Sequence, residues 1–284
     1  MNQPDHQGVN ALSPTRIGDF RRHVLSWFRQ HGRDLPWRHT RDPYRIMVSE
    51  VMLQQTQVSR VAPAYHSFLQ LFPEVGALAV APFRSVLESW RGLGYNRRAL
   101  YLHQAAMAIQ FDRGSAFPQT VEELRRLPGV GAYTASAIAC FAFDAQVAVV
   151  ETNVRSAIQW LVDPTFSATL REAEVQDIAA RLLPPGQAWE WNQAMIDFGA
   201  LSVRKPRRAR ISGSENFRQS NRYWRGQILR AVSATTAPVS MCRLLRELPE
   251  DREEYRVREL VSTLAEEGFL TVDLLRQRIA VPGD

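Results

Sequence analysis

The chain has 284 residues, 45% of them hydrophobic and 23% charged, enough to bury a sizeable core and to build two or three domains. Thirty-five Lys and Arg against 29 Asp and Glu give a net charge of +6, a balance that suits a nucleic-acid partner. Two cysteines, Cys140 and Cys242, exclude a disulfide framework and a Cys-rich metal site. No apolar run reaches the ~18 residues of a membrane helix, and residues 1–13 lack the apolar centre of a signal peptide. A cytoplasmic protein with no membrane association is expected.

Residues 1–14 read as a disordered tail. From Pro14 to Gln30, Ile17, Phe20, Val24, Leu25 and Phe28 recur at helical spacing. A loop with Leu35-Pro36-Trp37-Arg38 and Asp42-Pro43-Tyr44 follows, then a strongly apolar helix over Ile46 to Val61. Further helices are predicted over Pro63–Phe72, Pro82–Arg91, Arg97–Phe111, Thr152–Val162, Ala168–Leu183 and Trp189–Leu201, punctuated by proline and glycine. The body is all-α. Residues 212–221 read as a polar linker. Three helices (Tyr223–Val232, Met241–Leu248, Glu253–Glu267) and a hairpin over 269–281 then predict a small winged-helix-like domain, either structural or DNA-contacting.

Leu127-Pro128-Gly129-Val130-Gly131 is a turn that requires glycine's backbone freedom. Before it stands a short helix with a capping box from Thr120 to Glu123; after it begins an Ala-rich helix at Ala132. Helix, glycine hairpin and helix can hold a phosphate, because free N–H groups at a helix start point at an anion. Glu151 follows the apolar run Val147–Val150, at the start of the next helix, where the dipole favours a negative charge.

Glu50 stands in the middle of an apolar helix. A carboxyl there must be paired or used, and burial raises its pKa so that it keeps a proton near neutrality.

These stretches resemble the helix-hairpin-helix DNA glycosylases, and within them the MutY-type adenine glycosylases, with endonuclease III a cousin. The resemblance rests on Ser49-Glu50-Val51-Met52-Leu53-Gln54-Gln55-Thr56, on Leu127-Pro128-Gly129-Val130-Gly131 and on Val150-Glu151-Thr152-Asn153-Val154, and spans roughly residues 17–203. It implies a two-lobed glycosylase body over 15–211, with one lobe of about 45–145 and another from 15–44 plus 146–211, followed by the winged-helix-like domain at 222–284. It implies that Glu50 is the general acid, that Glu151 is the charged partner, and that Trp37, Arg38 and Gln193 line a pocket for a flipped base. Gln55 and Tyr95 would fill the vacated stack and probe the opposite strand, Gln54 would bind DNA beside them in sequence, Gly129, Val130 and Gly131 would hold a phosphate, and Arg204, Lys205, Arg207 and Arg208 would touch the backbone. The partner implied is double-stranded DNA with a mispaired or damaged base, the enzyme a nucleoid-associated monomer.

Three departures shape the expectation. The family has Asp where Glu151 stands. Bifunctional members have a Schiff-base lysine where this chain has Tyr133, so a monofunctional enzyme with little strand-cleaving activity is expected. The four cysteines that hold an iron–sulfur cluster are replaced by Val203, Arg210, Gly213 and Gln219, so no cluster and no other cofactor is expected. The 8-oxoguanine-reading domain common in the family does not match residues 222–284. Adenine excision is the first expectation; a thymine, uracil or hypoxanthine mismatch glycosylase is the alternative, and a catalytically silent binder of distorted duplex the alternative of another class.

Overall fold

Ser13 caps the first helix, accepting a hydrogen bond from the Arg16 N–H at 3.2 Å, and Pro14 begins it in the one turn where proline costs nothing. The computed structural model describes residues 12–167, 169–203, 220–251, 253–273, 275–276 and 278–283. Arg204, Lys205, Arg207 and Arg208, most of the expected linker and residues 1–11 of the expected tail lie outside the described residues. Leu12, expected in the tail, is buried in the core, and its carbonyl accepts from Arg181.

In chain order the helices are α1 (Pro14–His31), α2 (Pro43–Leu53), α3 (Val58–Leu71), α4 (Val75–Val80), α5 (Phe83–Ser89), α6 (Arg97–Met107), α7 (Val121–Leu124), α8 (Ala132–Phe143), α9 (Thr152–Val162), α10 (Glu172–Leu182) and α11 (Ala188–Leu201). Then come α12 (Asn221–Ser233), β1 (Val239–Ser240), α13 (Met241–Glu247), α14 (Glu254–Glu266), β2 (Thr271–Asp273) and β3 (Arg278–Ala280). The single helix expected over Ile46–Val61 is in fact two. It breaks at Gln54–Gln57, where Gln55 takes a left-handed φ of 55°. Proline 63 therefore lies inside α3 rather than at its start. A π-helical turn, Ala108–Asp112, ends α6.

The chain divides into two compact units, residues 1–50 with 117–209, and residues 51–116 with 210–284. The division differs from the expected lobes: 117–145 groups with the first unit, and the C-terminal segment groups with 51–116 instead of standing alone. In the first unit, Phe20 and Val24 of α1 pack with Val154, Ile158 and Leu161 of α9, Val175 and Ile178 of α10 and Trp191, Met195 and Phe198 of α11. Phe20 meets the Trp191 and Phe198 rings edge-on at 6.2 and 6.0 Å. α9 and α11 approach so closely that a Cβ on Gly199 would lie 2.0 Å from the Asn153 carbonyl oxygen.

In the second unit, β1, β3 and β2 form an antiparallel sheet in that order beside α12, α13 and α14. The helix and strand order is that of a winged helix. This segment joins the rest of its unit through Phe83, whose ring lies 6.1 Å from Phe269, and Arg84, which donates to the Val232 carbonyl at 3.1 Å.

Candidate active site

Glu50 stands on α2 among Ile46, Met47, Val48, Val51 and Met52, all buried, and is itself 5% exposed. Burial pushes its carboxyl up to about 7; a hydrogen bond from Tyr133 opposes this, Glu151 adds to it and Arg38 opposes it. The Tyr133 hydroxyl donates to Glu50 Oε2 at 2.7 Å. Oε2 being occupied as an acceptor, a proton on Glu50 belongs on Oε1, where it can be given to a ligand. Burial and the two carboxyls push the Tyr133 phenol up as well, so it stays a donor.

Tyr133 is positioned by the hairpin. The Val130 N–H closes the turn on the Leu127 carbonyl at 3.2 Å, Gly129 takes φ 73°, and α8 starts at Ala132, so Tyr133 is its second residue. Gly129 and Gly131 are exposed and Val130 is buried. Nothing lies within 4 Å of where a Gly131 Cβ would be, so the α8 N-terminus is open to an anion.

Glu151 is the N-cap of α9. Its Oε1 accepts from the N–H groups of Asn153 (2.7 Å) and Val154 (2.9 Å), and its Oε2 from the Asn153 side chain at 3.2 Å. Three donors at the positive end of a helix suit an anion. The longer glutamate side chain is accommodated by folding back on its own helix. The segment leading to it is extended rather than a strand. Asn192 of α11 holds that segment: its Oδ1 accepts from the Val149 N–H at 2.8 Å, and its Nδ2 donates to the Val147 carbonyl at 2.9 Å.

Arg38 is pinned. It donates from Nη1 and Nη2 to the two oxygens of Asp197 at 2.8 and 2.9 Å, while Arg33 donates to the same carboxylate from its backbone N–H and its Nε. Burial alone would raise the Asp197 carboxyl; the hydrogen bonds from Arg38 and Arg33 outweigh it and hold it below the usual range. The Arg38 Nε is buried without a hydrogen-bond partner among the described residues. Trp37 and Gln193 are buried, 7% and 4% exposed.

Gln54, Gln55 and Tyr95 belong to the second unit, where one side chain arranges both turns. Arg98 donates to the carbonyls of Val51 (2.9 Å), Met52 (2.7 Å), Leu93 (3.1 Å) and Gly94 (2.9 Å), and to Thr56 Oγ1 at 3.0 Å. It thereby satisfies carbonyls at the C-terminus of α2 that the helix leaves unpaired, which explains why the helix stops there. Burial lowers the Arg98 pKa to about 10, Tyr95 opposes this, and the nearby Arg222 adds to it. Gln55 and Tyr95 are exposed, each with a left-handed φ, 55° and 49°.

Sequence reasoning missed Asp197, Arg33, Asn192 and Arg98. Asp197 carried the same signal as Glu50, an acid within an apolar helix. Arg98 shares a helical face with Leu102 and Ala105, both buried.

Cysteine 140 is buried in α8 and accepts from the Asn192 side chain at 3.3 Å; burial pushes its thiol up to about 11, against that hydrogen bond. Val203 is part of the core. No group of three His, Cys, Asp or Glu that could hold a metal ion occurs among the described residues. None of the helices among them is long and apolar enough to cross a membrane.

A helix-hairpin-helix that sets Tyr133 against a buried carboxyl raised to about 7 agrees with the resemblance to the DNA glycosylases drawn from the sequence. A model of the HhH-GPD superfamily of base excision DNA repair proteins matches residues 48–181. The adenine DNA glycosylase of Mycolicibacterium smegmatis is 36% identical over 78% of this chain and 83% of its own. That of Mycobacterium tuberculosis is 34% identical over 100% of this chain and 98% of its own. Among solved structures, a thermostable thymine-DNA glycosylase superposes with a TM-score of 0.62 at 28% identity, covering 67% of this chain and 88% of that one. A non-covalent endonuclease III–DNA complex superposes with a TM-score of 0.58 at 19% identity, covering 67% and 87%, a likeness of fold. The chain belongs to the HhH-GPD superfamily of base excision DNA repair proteins, within the family of the adenine DNA glycosylases.

Proposed function

We propose that the protein is a monofunctional DNA glycosylase that hydrolyses the N-glycosidic bond of a flipped, mispaired adenine in double-stranded DNA. The observation that carries this reading is the Glu50 carboxyl, raised to about 7 and held through one oxygen by Tyr133. A purine anion is a poor leaving group, so a proton must reach the base as the bond breaks. Glu50 gives it as the C–N bond breaks; Glu151 faces the positive charge that develops on the sugar; water then adds to the sugar carbon and its released proton returns to the Glu50 carboxylate. Trp37 and Gln193 supply stacking and a hydrogen-bonding edge, and the unpartnered Arg38 Nε–H is a donor for the base. Gln54, Gln55 and Tyr95 contact the duplex, and Gly129, Val130 and Gly131 cradle a phosphate through their backbone.

Tyr133 cannot form an imine, which supports hydrolysis without strand cleavage. With two cysteines in the chain and Val203 in the core, the residues do not fit a four-thiolate cluster, so the enzyme works without one. Arg204, Lys205, Arg207 and Arg208 are proposed as phosphate contacts, and the working form as a cytoplasmic monomer.

The test is a single-turnover panel of duplexes: adenine opposite guanine or 8-oxoguanine, thymine or uracil opposite guanine, and hypoxanthine. Adenine release, lost in Glu50→Gln with duplex binding retained, is the expected result. No release from any duplex overturns the enzyme reading. Release of thymine instead is the second reading, favoured by the superposition on a thymine-DNA glycosylase.

A further inference from the structure

The Gly92–Tyr95 turn is a constrained surface feature of the second unit. Three of its four residues have positive φ: Gly92 at 87°, Gly94 at 69° and Tyr95 at 49°. Tyrosine pays a steric cost in that region and holds it only when its surroundings over-determine it. Below, Arg98 and the Trp90 indole both donate to the Gly94 carbonyl. Yet Tyr95 is 39% exposed. An aromatic side chain fixed in a strained backbone and left open is built to meet something.

What holds the ring comes from the C-terminal segment. Arg222, in the first turn of α12, lies with its guanidinium carbon 3.9 Å from the Tyr95 ring centroid and donates from Nη1 to the Tyr95 hydroxyl at 2.9 Å. Its Nη2 comes within 3.3 Å of where a Gly94 Cβ would stand, so a side chain there would press on it. The Arg98 guanidinium also lies over the ring, at 5.6 Å. Beside them Arg97 and Arg225 share the one carboxylate of Glu267. Among the described residues the hydrogen bonds of Arg98 all end on neutral oxygens, so it adds an uncancelled positive charge beneath the turn. A phosphodiester strand fits such a positive rim around an exposed ring.

The charge pattern of the winged-helix segment agrees. α14 occupies the place of a recognition helix, but carries Glu254, Glu259 and Glu266 against Arg256 and Arg258, and Arg258 is tied to Glu254 at 2.6 Å. At the start of α12, Arg222 adds a positive charge against the Tyr95 ring.

We propose that Arg222 is a positioning residue for Tyr95, clamping its ring toward the duplex and so making the C-terminal segment part of the element through which the second unit reads DNA. The proposal rests on the glycosylase reading above. Arginine 222 sets the angle of the ring and adds positive charge where the strand passes.

A double-mutant cycle tests it, using the full chain and the adenine–8-oxoguanine and adenine–guanine duplexes. Arg222→Ala is expected to lower the single-turnover rate at saturating enzyme about tenfold, with Tm unchanged. Tyr95→Phe in the Arg222→Ala background should cost no further rate, because the hydroxyl it removes has lost its donor. Arg222→Lys keeps the charge but loses the flat stacking face; it should lower the rate by a similar factor, and it carries the test if the alanine variant lowers Tm. Rates within about twofold of wild type for both Arg222 variants, or losses that multiply across the cycle, overturn the clamp while leaving the glycosylase reading intact. Absence of base release from the wild-type protein removes both.

Discussion

Tyr133 gives its hydroxyl hydrogen to Glu50, and Glu50 accepts it while its own carboxyl is raised to about 7. The bond favours the ionised form of the carboxyl and so works against its burial. Removing it in Tyr133→Phe should raise the Glu50 pKa further. In the pH profile of single-turnover base release, the loss of rate at high pH should then move upward. The maximal rate should fall about tenfold, as Glu50 loses the contact that orients it. An unmoved alkaline limb would mean that Glu50 is not the proton donor.

Glu50 also makes stability depend on pH. Its folded-state pKa lies above the ordinary 4.5, so the folded protein holds the proton more tightly than the unfolded chain. Stability from this group is complete below about pH 4.5 and is lost as pH rises through about 7. The gap corresponds to about 3 kcal/mol above neutrality. Glu50→Gln should therefore be more stable than wild type in denaturant titrations at about pH 8, with the advantage shrinking toward about pH 5. A constant difference across that range would contradict the assignment.

Gly199 is a packing requirement that also governs the site. Any side chain there meets the Asn153 carbonyl at 2.0 Å, and Asn153 donates two hydrogen bonds to Glu151. Gly199→Ala should cost about 3 kcal/mol in denaturant titration. It should also slow base release in whatever fraction stays folded, through displacement of the Glu151 cap. Wild-type stability in this variant would show that α9 and α11 can part without consequence.

Asp197 neutralises two arginines from a fully buried position. Asp197→Asn leaves the Arg38 charge buried and under-compensated, and should destabilise the protein by about 3 kcal/mol. The Asp197 carboxyl is held below its ordinary 3.8, so its contribution is present above that value and disappears as pH falls through the lower folded-state value. The difference between wild type and variant should therefore collapse in strong acid; a difference independent of pH there would exclude the ion pairs as its source.

The buried carboxyl and the helix cap were legible in the sequence because each breaks a local pattern: Glu50 interrupts an apolar run, and Glu151 separates an apolar run from a new helix. The hairpin was legible because only glycine suits its backbone. The break after Leu53 was not, since its cause, Arg98, lies more than 40 residues away and sits in an Arg-Arg pair that resembles solvent-facing charge. Asn192 was hidden beside Gln193, its role fixed by a loop from another part of the chain. The short helix Val75–Val80 and the two-residue strand β1 fall below the length at which periodicity is readable.

Each compact unit is assembled from two separated stretches of chain, and this has a consequence during synthesis. The unit carrying Gln55 and Tyr95 cannot finish folding when its first stretch leaves the ribosome, because Phe83 and Arg84 must wait for Phe269 and Val232. Cutting the gene after the codon for residue 209 would accordingly not yield a trimmed enzyme. It would strand one half of a core without the other, and the nascent product would be handed to chaperones or proteases.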